Sequence, residues 1–109
     1  MKVKFLTIKC KDIERSRSFY ELLGINFVKE KHEDGPEHYS SNINGMVLEL
    51  YPTKDNIKNS LIIGLELDLL VEEIIEKIQL RFGNQNITKN KNGNLVIKDP
   101  DENTIHLFN

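Results

Sequence analysis

The sequence of this 109-residue chain predicts an α+β fold, in which two βαβββ modules form an open barrel-like sheet with a concave cleft. Each half of the chain begins with alternating apolar positions, which are typical of a strand, and continues with apolar residues at helical spacing. Each half then ends in short strands separated by turn signals. The halves repeat in order, since Asp12 and Asp68 precede the two helices and Gly24 and Gly83 follow them.

Composition limits the classes of protein that the chain can represent. It is 39% hydrophobic and 29% charged, which is ordinary for a soluble globular chain. Its length predicts a single domain over residues 1–109, with modules at about 1–53 and 60–109. A net charge of −2 gives no electrostatic basis for nucleic acid or an anionic membrane as a partner. No apolar run approaches the roughly 18 residues that a membrane span needs.

The start of the chain and its cysteine content favour a cytoplasmic protein. Residues 1–5 pass directly into a strand pattern, without the features of a signal peptide. The single cysteine, Cys10, cannot form an intrachain disulfide. Because Cys10 alternates with Leu6 and Ile8 on the predicted helix-facing side, we expect a small buried residue rather than a nucleophile.

The first module is predicted to run strand, helix and then three strands. The first strand covers residues 3–10, Asp12 caps the helix and Gly24 ends it. The helix carries one buried stripe, formed by Ile13, Ser16, Phe19, Tyr20 and Leu23. The further strands are predicted at 26–33, 37–43 and 46–51, separated by turns at 34–36 and 44–45.

The second module repeats this order after a polar loop predicted over residues 52–60. A strand at 61–67 leads to Asp68, which is expected to open the second helix, and Gly83 ends that helix. Strands are then predicted at 86–90, 95–98 and 104–108. They are separated by the turn Asn92-Gly93 and by the turn Asp99-Pro100-Asp101.

The last strand places a histidine next to the core. Ile105 and Leu107 point to one face of the strand, whereas Thr104, His106 and Phe108 point to the other. His106 therefore lies either against solvent or in a binding cleft. We expect the other two histidines, His32 and His38, to be exposed to solvent beside a turn-rich stretch.

Two stretches resemble the vicinal oxygen chelate superfamily, which includes glyoxalases, bleomycin-resistance proteins and extradiol dioxygenases. The first is Asp12-Ile13-Glu14-Arg15-Ser16 followed by Phe19-Tyr20 and Leu23-Gly24, similar to the family's first helix. The second is Asp99-Pro100-Asp101-Glu102-Asn103 before Ile105-His106-Leu107, similar to the family's last hairpin. The resemblance covers essentially the whole chain, and it implies paired βαβββ modules in a homodimer.

The resemblance also implies where a metal would bind. Metal-dependent members place four ligands on the concave face, and these positions fall on Phe5, Glu49, Ile62 and His106. Phe5 and Ile62 offer no ligand atom, and a catalytic metal normally needs about three protein ligands. We therefore expect no cofactor at the family positions. A divalent metal remains an alternative that recruits a further ligand from His38, Tyr51 or Glu66.

The cleft is predicted to be lined by aromatic and polar side chains of both modules. The candidate ligand-binding residues are Phe5, Thr7, Glu49, Tyr51, Glu66, His106 and Phe108. Glu49 and His106 are the candidate catalytic residues, since a carboxylate–imidazole pair can transfer a proton. The alternative for both is a structural or solvated role. Phe5 is expected to fill the interior of the barrel, and Tyr20 is expected to pack in the core.

Three hypotheses for function follow. The first is a metal-independent protein that binds an unknown small molecule in the cleft. The second is a lyase, isomerase or dioxygenase with a divalent metal and a rearranged ligand set. The third is a module that only makes protein interactions, with a cleft filled by Phe5, Tyr51 and Phe108.

Overall fold

The computed structural model describes residues 1–56, 61–83 and 87–109, and it confirms the predicted α+β fold. The elements of the first module are β1 (Phe5–Cys10), α1 (Ile13–Leu22), β2 (Val28–Glu30), β3 (His38–Ile43) and β4 (Met46–Pro52). Those of the second are β5 (Ile62–Glu66), α2 (Val71–Phe82), β6 (Thr88–Lys89), β7 (Leu95–Lys98) and β8 (Thr104–Phe108).

Each module forms its own four-stranded sheet. The first sheet has the order β1-β4-β3-β2 and the second the order β5-β8-β7-β6. In both, the first strand of the module pairs in parallel with its last strand, and the other pairs are antiparallel. The sheets do not close on one another among the described residues, so the barrel-like surface is open, as the sequence predicts.

Local backbone signals account for most of the element ends. The Asp12 side chain accepts hydrogen bonds from the backbone N–H groups of Glu14 and Arg15, so it caps α1 as predicted. The hairpin between β3 and β4 turns at Asn44 and Gly45, with φ angles of 50° and 91°. Positive φ at both central residues is the type I′ turn that Asn-Gly favours.

The second helix differs from the prediction at its start. It begins at Val71 after Leu70, and Asp68 does not cap it. Instead, Asn109 accepts a hydrogen bond from the Val71 N–H through Oδ1, and its Nδ2 donates to the carbonyls of Leu67 and Leu69. The cap therefore comes from the far end of the chain, which no local pattern around Asp68 encodes.

The predicted outer strands are longer than the observed ones. The strand predicted at 26–33 is limited to β2, because only Val28, Lys29 and Glu30 pair with β3 before the chain enters the turn at His32–Gly35. The strand predicted at 86–90 is limited to β6 within the described residues. Residues 57–60 of the predicted loop, and Asn86, lie outside the described part of the chain.

The hydrophobic core lies between the sheets and the helices, and a turn of the second module closes it over α1. The largest fully buried side chains include Tyr20, Phe19, Leu50, Ile74, Ile78, Ile97, Ile105 and Leu107. The Tyr20 hydroxyl donates to Asp99 Oδ2 at 2.6 Å. Asp101, in the same turn, accepts from the Ser16 hydroxyl at 3.2 Å and from the Lys11 N–H at 3.0 Å. Tyr20 thus joins the modules as well as packing in the core.

None of the described helices has the length and apolar character that crossing a bilayer demands.

Replacing the remote cap should destabilise the protein more than replacing the predicted one. We expect Asn109→Ala to lower the free energy of unfolding by about 1 kcal/mol, the usual cost of losing a helix cap. Asp68→Ala should change it by less than about 0.5 kcal/mol, as an exposed surface substitution does. Urea unfolding followed by circular dichroism measures both. Equal losses of unfolding free energy in the two variants would contradict the assignment of Asn109 as the cap of α2.

The buried tyrosine should matter more than a second tyrosine bonded to a carboxylate. Tyr20→Phe leaves a buried carboxylate without one donor, and we expect a loss of about 1–3 kcal/mol in unfolding free energy. The matched control is Tyr39→Phe, whose hydroxyl donates to Glu14, a side chain that is 50% exposed and open to water. Urea unfolding of both variants should show the smaller loss of unfolding free energy for Tyr39→Phe. A larger loss for Tyr39→Phe would contradict the view that the Tyr20–Asp99 hydrogen bond stabilises the fold more than the Tyr39–Glu14 hydrogen bond.

Candidate functional site

The concave face of the first sheet carries a cavity of about 720 Å³. Strand alternation sends Ile8, Cys10, Leu48 and Leu50 to the helix-covered face, where they are buried. The other face lines the cavity with Lys4, Phe5, Thr7, Lys9, Val47, Glu49 and Tyr51. Four predicted ligand-binding residues, Phe5, Thr7, Glu49 and Tyr51, therefore lie together.

Glu49 is held in place by a neighbour on the adjacent strand. Thr7 and Glu49 are partners in the parallel β1–β4 register. The Thr7 hydroxyl donates to Glu49 Oε1 at 2.9 Å, in a partly buried position. Among the described residues, the other carboxylate oxygen, Oε2, accepts no hydrogen bond in the structure, which leaves it for a ligand in the cavity.

Tyr51 forms one wall of the same cavity and contacts a histidine and a lysine. Its ring stacks on the ring of His38, with centroids 4.1 Å apart and an interplanar angle of 11°. Lys9 Nζ lies 5.4 Å from the Tyr51 ring centroid, a cation–π distance. Partial burial, followed by the negative charges of Glu49 and Glu30, raises the pKa of Tyr51. Tyr51 is therefore a neutral phenol at physiological pH.

The prediction that Phe5 fills the interior of a barrel is wrong. Phe5 is 62% exposed and Ile62, at the corresponding place in the second module, is 67% exposed. The reason is that the concave faces of the two sheets do not pack on one another among the described residues. The hypothesis of a module that only makes protein interactions required a filled cleft, and this observation argues against it.

The remaining candidates lie on the second sheet. Register pairs Gly64 with His106 and Glu66 with Phe108 across β5 and β8. Phe108 packs over Gly64, where a Cβ would lie 3.3 Å from its Cε2 atom. Glu49 and His106 are therefore on different sheets, and Glu49 accepts its hydrogen bond from Thr7. A single chain does not bring the predicted Glu49–His106 pair together.

The four metal positions implied by the resemblance do not fit a metal in this chain. Phe5 and Ile62 carry no donor atom, and both side chains are exposed on separate sheets. The neighbours in register are Thr7 and Ser40 beside Glu49, and Gly64 and Val96 beside His106, so none of them supplies a carboxylate, imidazole or thiolate. These positions offer two ligands where about three are needed.

Sequence reasoning missed a cluster at the edge of the first sheet. Ligand atoms of Glu30, His32 and His38 lie within 4.8 Å of one another. His38 is 1% exposed, so the expectation of a solvent-exposed side chain is wrong for it. Tyr51 and Glu30 cover its ring. The prediction holds for His32, whose side chain is 70% exposed. The available signal was Glu-x-His at the end of one strand and a histidine opening the next.

Cys10 is not a nucleophile. It is fully buried, as predicted, and its Sγ lies 3.6 Å from the carbonyl oxygen of Ile8. Burial raises the pKa of the Cys10 thiol to about 12, with a smaller contribution from the charges of Asp101 and Asp99. The reactive thiolate is therefore negligible at physiological pH.

The fold of this chain is similar to the folds of several solved structures. The glyoxalase I of Leishmania major matches with a TM-score of 0.74 at 23% identity, over 100% of this chain and 86% of that one. A possible glyoxalase from Bacillus cereus matches with a TM-score of 0.69 at 20% identity, over 100% and 99%. A hypothetical protein from S. aureus matches with a TM-score of 0.70 at 18% identity, over 98% and 95%.

These similarities show the fold. The chain shares the paired βαβββ fold of these structures, among them a glyoxalase I and a possible glyoxalase, and this is the fold that the resemblance of the two sequence stretches implied. No family model matches the sequence, and no curated protein matches it. The activity of this chain therefore has to be argued from its own residues.

The thiol should be inert while the protein is folded. We expect less than about 5% of Cys10 to react with a thiol-specific reagent at pH 8 in native buffer, because only the thiolate reacts and its pKa is far above this pH. In denaturant the same thiol should react completely. Absorbance of the released chromophore measures both. Rapid labelling of the folded protein would contradict the conclusion that Cys10 is buried.

Proposed function

We propose that the protein binds a small organic molecule in the cavity on the concave face of its first sheet, without a metal at the four family positions. The observation that carries this proposal is the cavity of about 720 Å³, in which Phe5, Val47 and Tyr51 lie together with Thr7, two lysines and the anchored carboxylate of Glu49. A concave surface that combines apolar and aromatic side chains with a few polar groups is typical of small-molecule sites.

The lining suggests the chemistry of the ligand. Phe5, Val47 and Tyr51 offer apolar and aromatic contact area, which suits a planar or apolar body. Glu49 Oε2 accepts hydrogen bonds, which suits an amine, amide or hydroxyl group on that body. We therefore favour a ligand that carries a hydrogen-bond donor on an aromatic or apolar ring system.

A homodimer would complete this cavity. Phe5 and Ile62 are exposed by more than 60% on the two concave faces, and burying such apolar side chains is favourable. A partner's second sheet placed over the first sheet would bring its Glu66, His106 and Phe108 towards Glu49. The dimer therefore belongs to the proposal, together with any proton transfer between Glu49 and His106.

A metal-dependent enzyme is the second candidate function. The specific observation in its favour is the cluster of Glu30, His32 and His38, which supplies three ligands, one carboxylate and two imidazoles, next to Tyr51. His38 was named as a residue that a rearranged site would recruit. The reaction class stays open among lyase, isomerase and dioxygenase, since nothing in the cavity selects one.

A fragment screen tests the small-molecule proposal. Protein-observed NMR with an aromatic and heteroaromatic fragment library, in the presence of a chelator, should give shifts at β1 and β4. For any fragment that binds, Glu49→Gln should weaken affinity by about 10-fold or more, since a hydrogen bond to a charged group contributes about 1.5–3 kcal/mol. The chelator removes any contribution of a metal.

The control is Glu76→Gln on the exposed side of α2, which should leave fragment affinity unchanged. Phe5→Ser is a second variant within the cavity, and its exposed position makes it safe for folding. The proposal is wrong if no fragment binds, or if binding survives both Glu49→Gln and Phe5→Ser.

A further inference from the structure

We propose that Glu30, His32 and His38 bind one divalent transition-metal ion at the edge of the concave face of the first sheet. Their ligand atoms form the one group of at least three such atoms found across residues 1–56, 61–83 and 87–109. Two imidazoles and one carboxylate are donors that suit Zn²⁺, Fe²⁺, Co²⁺ or Ni²⁺. The site is distinct from the family positions Phe5, Glu49, Ile62 and His106.

The distances between ligand atoms match those around a bound ion. Glu30 Oε2 lies 3.4 Å from His32 Nε2 and 3.5 Å from His38 Nε2. Two ligands on a tetrahedral zinc, each about 2.0–2.1 Å from the metal, are about 3.3–3.4 Å apart. The two imidazole nitrogens are within 4.8 Å, and the exposed His32 ring can turn to close this edge.

The tautomer of His38 favours a cation in the cluster. Its Nδ1 lies 3.1 Å from the carbonyl oxygen of Pro36, which can only accept a hydrogen bond, so Nδ1 carries the proton. In the neutral ring, the Nε2 lone pair then faces the Glu30 carboxylate. Two electron-rich atoms at this distance, with His38 1% exposed, repel each other unless a positive charge lies between them.

Tyr51 does not provide that positive charge. Its hydroxyl oxygen lies 3.3 Å from His38 Nε2, but the two rings are nearly parallel. The hydroxyl therefore approaches the face of the imidazole, whereas the Nε2 lone pair lies in the plane of the ring. The lone pair stays available to a metal.

A hydrogen bond also fixes the orientation of the Glu30 carboxylate. The Ser40 hydroxyl donates to Glu30 Oε1 at 2.8 Å, which leaves Oε2 towards the histidines. Glu30 and His38 are also partners in the β2–β3 register, which sets their separation before any ion binds. Bonds that orient metal ligands in this way strengthen a site.

Three protein ligands leave at least one coordination position for water or substrate. Tyr51, which packs on His38, also lines the proposed ligand cavity, so the cluster lies beside that cavity. The metal site does not depend on the organic ligand, and each can be tested without the other.

Calorimetry and absorption spectroscopy test the site on the untagged, chelator-stripped full chain. Titration with Zn²⁺ should give one equivalent bound, and Co²⁺ should give ligand-field bands of a site with imidazole ligands. We expect His32→Gln and Glu30→Gln to weaken Zn²⁺ binding by more than about 100-fold, since losing even an outer hydrogen-bond partner costs about 10- to 100-fold. His32 is exposed, so its replacement leaves folding intact.

The matched control is Glu33→Gln, an exposed acid in the same turn, which should change Zn²⁺ affinity by less than about twofold. The proposal fails if the wild-type chain binds no stoichiometric Zn²⁺, or if binding survives both His32→Gln and Glu30→Gln. It also fails if Glu49→Gln abolishes binding instead, which would place the metal at the family positions. A further contrary result is ¹⁵N NMR showing that His38 is doubly protonated and stays so when Zn²⁺ is added.

Discussion

The buried hydrogen bond between Tyr20 and Asp99 joins the two halves of this fold. Asp99 is 3% exposed, and besides the Tyr20 hydroxyl its carboxylate accepts from the backbone of Asp101 and from the backbone and side chain of Asn103. A buried carboxylate is costly unless its oxygens are satisfied, so the turn and the helix must be positioned together. This contact locks the helix-covered sides of both modules, and it leaves the concave faces to bind other molecules.

Much of the fold could be predicted because its signals are local. Alternation in β1 and β4, the Asp12 cap and the Asn44-Gly45 turn each act within a few residues. The start of α2 could not be predicted from local signals, because its cap is Asn109, which is 38 positions away from Val71. Edge strands such as β2 are also poorly specified, because one neighbour and a solvent-exposed side leave their ends free to vary.

The candidate site was predicted in part, and for a physical reason. Strand parity placed Phe5, Thr7, Glu49 and Tyr51 on one face, since alternation along a strand is fixed by its geometry. Alternation along the strand could not show that this face would stay open, because that depends on whether the second sheet packs against it. Nor could it show that His38 is buried: the stacking on Tyr51 joins residues of two strands, and it depends on their register.

The concave face of the first sheet therefore carries two sets of polar groups, Glu49 at a position that the resemblance implies and the cluster of Glu30, His32 and His38 at another edge. The family positions draw ligands from two sheets, so they bind a metal only when both modules, or two chains, are positioned together. Glu30, His32 and His38 come from a single hairpin and are eight positions apart at most. Closing so short a segment costs little chain entropy, and β-pairing already holds two of the three ligands. A metal site in this hairpin would form with the first sheet alone, whether or not a partner covers the cleft. The apolar residues Phe5 and Ile62 are then compatible with a metal site, because the proposed ligands lie at another edge of the first sheet.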